Sequence, residues 1–339
     1  MKIEKKINTS LAFLKIYLSF LVVNSHSYTP KNEIKKKIIV KLIYNAVHVP
    51  TFFIISFYFC YNLFKSKNIK RIKKRFQRLL IPYFIWPIII WTLNNLFSFY
   101  ITKIEIFPFE KLIKQLLEGH SFMAILWFQY NLIFATLLIL ILHLLISNNL
   151  IYYILINFQI FGFFLQYSNC NFSLFVNYEY EKRYAFGRFF EIFPYCIIGY
   201  ILASLKIVYI LSKYRIISIN IFLSILIFII KFEIFIEIEG FGYQGSKLFI
   251  SSICIFLIFS LIPDERIHNK YIMKIIRFIS IHTPGVYFIH YMLIYYLNNF
   301  FLFKNGTLSE SIAVYFMSFF ISFFGRLIFK KTILINLFQ

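Results

Sequence analysis

A chain of 339 residues that is 60% hydrophobic and only 15% charged, with a mean hydropathy of +0.73, excludes an ordinary soluble domain, in which charged residues make up about a quarter of the chain. Its net charge of +22 is carried by lysines and arginines that lie beside apolar segments, with no nucleic-acid-binding pattern around them, so nucleic acid is excluded as a partner. A single aspartate, Asp264, and the lack of HExxH, P-loop or GxSxG patterns exclude paired-aspartate chemistry and an acidic metal cluster, so no metal is expected.

Apolar windows long enough to cross a ~30 Å hydrocarbon core fall at 10–28, 44–64, 79–101, 121–146, 149–167, 186–205, 216–231, 246–262, 278–301 and 309–328. They predict an all-α polytopic membrane protein, a bundle of about ten transmembrane helices forming one membrane domain over residues 1–339 with no separate soluble domain. Lys2, Lys5 and Lys6 before the first window imitate a signal peptide. Lys15 interrupts the apolar run, however, and no small-residue cleavage site follows, so the window reads as a retained first span. With the N-terminus inside, the cytoplasmic side, counting Lys15, holds 22 basic residues against Glu4, Asp264 and Glu265, and the opposite side 14 against 11 acids. This obeys the positive-inside rule and makes both termini cytoplasmic. One loop dissents, with Lys31, Lys35, Lys36, Lys37 and Lys41 facing outward.

The first span carries Lys15 and His26, the latter flanked by Asn24, Ser25 and Ser27. Ionisable groups at membrane depth line a protein interior or an aqueous path, because hydrocarbon penalises charge. Eleven helical steps bring the two side chains to within ~20° of one face and ~16 Å apart along the axis, about half a bilayer core. An interfacial histidine marking a helix end would have the same polar neighbours. The relation to Lys15 is what favours a site, and imidazole is the side chain best suited to exchange a proton near neutral pH.

The third span is entered by Lys70-Arg71-Ile-Lys73-Lys74-Arg75-Phe-Gln-Arg78-Leu-Leu-Ile-Pro82. The lysines read as topology anchors on lipid phosphates. Arg75 and Arg78, three apart on a helix, share a face, and paired guanidinium groups suit phosphate, either of a ligand or of lipid. Trp127, in the stretch that begins at Gly119 and His120, is either an interfacial belt residue or a supporting site residue. Glu191 has the same standing and could pair with Arg188 three residues earlier. His290, inside the ninth span, is a second intramembrane titratable group, a packing or a supporting residue. The cysteines Cys60, Cys170, Cys196 and Cys254 stand at no metal or disulfide spacing.

Taken together and in order, these residues resemble the integral-membrane acyltransferase family 3, which O-acylates bacterial surface and secreted polysaccharides. The resemblance covers nearly the whole chain. It rests on a basic residue, ten residues and a histidine (Lys15 to His26), on Val49-Pro50-Thr-Phe-Phe-Ile-Ile-Ser56 and on Arg75-x-x-Arg78-Leu-Leu-Ile-Pro82. Leu126-Trp127-Phe128, Phe193-Pro194-Tyr-Cys-Ile-Ile-Gly199 and Gly285-Val-Tyr287-Phe-Ile-His290 complete it. Phe57 stands where the family usually has glycine, and Lys15 where arginine is commoner. The resemblance implies a multi-pass protein of the bacterial cytoplasmic (inner) membrane. Acyl-CoA, commonly acetyl-CoA, is then the donor substrate rather than a bound cofactor, and the acceptor is a glycan such as capsule, O-antigen or another exopolysaccharide. It further implies Lys15, Arg75 and Arg78 near the CoA phosphates, with His26 as general base or transient acyl carrier. The rival is a transporter or flippase of lipid-linked glycans, which predicts inverted repeats or charges spread over many spans. Here the charges concentrate in the first and third spans, with no repeat.

Overall fold

The computed structural model describes residues 8–27, 47–97, 108–119, 126–146, 150, 151, 153–158, 185–235, 246–264, 269–299 and 307–338. The outward lysine loop 31–41, His120, Ser121, residues 159–167 of the fifth expected span and Cys170 lie outside the described residues. The helices among the described residues include α1 (Thr9–Ser27), α2 (His48–Lys65), α3 (Ile69–Phe97), α4 (Phe109–Glu118), α5 (Leu126–Leu145), α6 (Ala185–Ser204), α7 (Ile207–Ser212), α8 (Arg215–Phe235), α9 (Ser246–Leu261), α10 (Lys270–Ile281), α11 (Thr283–Asn299) and α12 (Leu308–Ile328). A 3-10 segment, Ile333–Phe338, follows, and no strand occurs among the described residues.

Among the described residues three helices are long and apolar enough to cross a membrane: Ile69–Leu96, Leu126–Leu145 and Leu308–Ile328. A fourth span is available if α10 and α11, bent by 54° at a short break, act as one. The expected ninth span, 278–301, thus straddles two helices. Pro284 has no N–H and its ring disfavours helical geometry at the preceding residue, so the ladder stops at Ile281 and His282, where the His282 N–H turns back to the Ile279 carbonyl. Glu191–Ser204, Arg215–Ile229 and Leu248–Leu261 are shorter apolar stretches. The described cysteines Cys60, Cys196 and Cys254 are buried and form no disulfide among the described residues.

The chain divides into two compact units, Met1–Asn62 with Tyr195–Phe323, and Leu63–Pro194 with Phe324–Gln339. In the first, α1 packs against α9, α10 and α11. It is held along its length. At its start the Thr9 N–H donates to Asp264 Oδ1 at 2.6 Å, and Arg277 joins Asp264 Oδ2 at 2.7 Å and the Thr9 hydroxyl at 2.9 Å. Midway the Ser19 and Tyr315 hydroxyls meet at 3.1 Å, and at its end those of Ser27 and Ser311 meet at 2.7 Å. Between these ties Val23 packs with Val286, Val314 and Tyr315. Asp264 therefore serves as a helix cap and an ion-pair partner together. Asp264→Ala should lower stability by about 1–2 kcal/mol, read as a fall in melting temperature in detergent. An unchanged melt would show that the tie contributes nothing.

In the same unit a Cβ at Gly199 would lie 2.4 Å from the Ile54 carbonyl oxygen and 2.9 Å from its Cα, so α6 approaches the backbone of α2 directly. Backbone cannot rotate aside as a flexible side chain can, and small residues permit such approach between membrane helices. Gly199→Ala should cost about 1–3 kcal/mol, again measured as a lowered melting temperature, and a neutral result would mean that α2 shifts freely.

In the second unit α3 packs against α4, α5 and the 3-10 segment. Pro82 and Pro87 each remove a hydrogen bond from the interior of α3. One residue past the Arg78 carbonyl that Pro82 leaves without a helical donor, Leu79 O accepts from Gln129 Nε2 of α5 at 2.8 Å. The Tyr83 hydroxyl donates to Leu116 O of α4.

Candidate functional site

The sequence candidates divide between the units: Lys15, His26 and His290 belong to the first, and Arg75, Arg78, Trp127 and Glu191 to the second.

Lys15 is half-buried on α1, its Nζ 5.5 Å from the centre of the Phe59 ring. Two helical turns beyond it lies the Val22–Asn24 stretch, fully buried, and then His26, which is exposed. The His26 ring lies against two residues of α11, His290 at 5.4 Å between centroids and Tyr291 at 5.6 Å edge-on. His48, the first residue of α2, is buried within electrostatic reach of His26. One accessible imidazole is thus backed by two buried ones.

The tautomer of His290 follows from its contacts. Nδ1 lies 3.1 Å from the Val286 carbonyl, which can only accept, so Nδ1 carries the hydrogen and Nε2 presents its lone pair. That Nε2 and the Nδ1 of His48 are buried, with no hydrogen-bond partner among the described residues. A buried polar nitrogen without a partner is costly, so both are open to a polar group. An accessible ring near them can give or take a proton.

In the second unit Arg75 and Arg78 project from α3 as the spacing predicts. Arg75 is half-buried and donates from Nη2 to the Thr136 hydroxyl of α5 at 3.3 Å, while the Thr136 hydroxyl donates to Leu132 O at 2.6 Å. Arg78 is exposed and lies within electrostatic reach of Arg75. Like charges gathered this way repel, an arrangement suited to a bound polyanion.

Trp127 is buried at the start of α5, with the Arg188 guanidinium 4.7 Å from its ring centre, a cation–π contact. Arg188 thus stacks across helices. Glu191 is buried on α6.

Sequence reasoning passed over His48 and Thr136. His48 stands directly before the Val49-Pro50 motif, and its signal was a histidine opening a span; Thr136 inside an apolar helix carried none.

A family model described as an acyltransferase domain matches residues 8–327. None of the curated proteins and none of the solved structures compared with the chain matches it.

Proposed function

The chain belongs to the acyltransferase 3 family and is a membrane acyltransferase, and from that premise we propose that it moves an acyl group, acetyl by first choice, from cytoplasmic acyl-CoA to a hydroxyl of a cell-surface or exported glycan. His26 is the general base. It takes the proton of the acceptor hydroxyl as that oxygen attacks the thioester carbonyl; the new C–O bond forms, the C–S bond breaks, and the proton passes to the departing CoA thiolate. Lys15, Arg75 and Arg78 are assigned to the phosphates of CoA, with acyl-CoA as substrate and no permanently held cofactor or metal. Trp127, Glu191 and His290 are supporting residues. The protein is read as a ten-span bundle of the bacterial cytoplasmic membrane with both termini inside, so that the donor arrives from the cytoplasm.

The observation that carries this reading is the accessible His26 ring, on a helix tied down at its start, middle and end, set against buried His290 and half-buried Tyr291. A base must be held and reachable. The glycan fraction of cells with and without the protein tests it by mass spectrometry. An acyl increment present only with the protein is expected. Unchanged glycan mass with less total surface glycan in its absence would replace the reading with export.

A further inference from the structure

From sequence, Arg326 counts among the cytoplasmic basic residues that follow the positive-inside rule. It is half-buried near the end of α12, within electrostatic reach of Arg78, and its Nη1 is buried without a hydrogen-bond partner among the described residues. Among the described residues no salt bridge involves Arg326 or Arg78. A guanidinium carries five donors, and one set beside a second cation, with no acid paired to it among the described residues, suits an anion from outside the chain.

The same helix end is fixed by an aromatic wedge. The Phe338 ring occupies the space a Cβ at Gly325 would fill, with ring atoms 2.4 and 2.5 Å from that position, so only glycine fits directly before Arg326. Phe338 also stacks on Phe329 at 6.0 Å and meets Trp86 of α3 edge-on at 5.9 Å, while Trp86 Nε1 donates to Leu337 O at 3.2 Å. Phe338 therefore joins the end of α12 to α3, the helix that carries Arg75 and Arg78.

We propose that Arg326 is a third phosphate-binding residue of the donor site, completing with Arg75 and Arg78 a three-guanidinium clamp for the phosphates of acyl-CoA, and that Phe338 is the positioning residue that holds it there. This rests on the assignment of the donor site above. Three guanidinium groups drawn from two helices match a ligand bearing a diphosphate and a further phosphate better than a single lipid phosphate.

The test uses the full chain in nanodiscs of zwitterionic lipid, titrated with CoA. Arg326→Gln should weaken CoA binding on the order of 10- to 100-fold, with weakening that shrinks at high salt. Phe338→Ala should weaken it several-fold, and Phe338→Leu, which refills part of the space without lengthening the side chain toward Gly325, should restore it in part. On the wild-type protein, CoA should protect Arg326 from phenylglyoxal, read by peptide mass spectrometry, which keeps the test independent of how the variants fold. Unprotected Arg326 and normal CoA affinity in Arg326→Gln would overturn the proposal while leaving the donor site at Arg75 and Arg78 intact. Protection of Arg326 by phosphatidylglycerol in the nanodisc and not by CoA would overturn it in favour of a lipid phosphate. Wild-type protein that binds no CoA would overturn it together with the donor assignment itself.

Discussion

His26→Ala is expected to lower the rate of acyl transfer by about 10²–10⁴-fold, the range that a positioned general base supplies. The argument is one of position as well as chemistry. α1 is tied through Asp264 and Arg277 at its start, Tyr315 midway and Ser311 at its end, so removing an exposed ring at position 26 leaves the helix in place. The loss should therefore appear as rate, with the melting temperature shifting little, as for most exposed substitutions. A purified variant that folds, binds CoA and still transfers at the wild-type rate would remove His26 from the reaction.

The second large effect is expected at Arg75 and Arg78. Each guanidinium that donates to a phosphate contributes roughly 1.5–3 kcal/mol, so Arg75→Ala or Arg78→Ala should raise the KM for acyl-CoA about 10- to 150-fold. Because the two share one ligand and lie within electrostatic reach of each other, the double variant should lose less than the sum of the singles. Lysine at either position should rescue only in part, since a point charge cannot reproduce a planar fork. Arg75→Ala also removes the donor to Thr136, but that hydroxyl still donates to Leu132 O, which keeps the structural cost small. Steady-state kinetics over a range of ionic strength decides the matter: a KM indifferent to both substitutions and to salt would place these arginines on lipid.

The features that were legible in the sequence are those written as spacing within one helix. Lys15 and His26 fall on α1 and Arg75 and Arg78 on α3, because a period of 3.6 residues fixes which side chains share a face. The all-helical character followed from composition in the same way. The arrangement around His26 was not legible, since its neighbours come from α2 and α11, far away in the chain, and a histidine opening a span reads equally well as an interface marker. The break at His282 was signalled by Pro284, yet an apolar window averages across a proline and reports one span. α4 escaped detection because its polar and apolar residues alternate around the helix, giving no long apolar run.

Acyl-CoA labelled in its acyl carbon, supplied with total envelope glycan to purified protein in liposomes, tests the central claim most directly. Label should appear on the glycan in step with release of free CoA thiol for wild type, and neither should appear above background for His26→Ala. Transfer by His26→Ala at the wild-type rate, or glycan crossing the liposome membrane without label or thiol, would contradict the account.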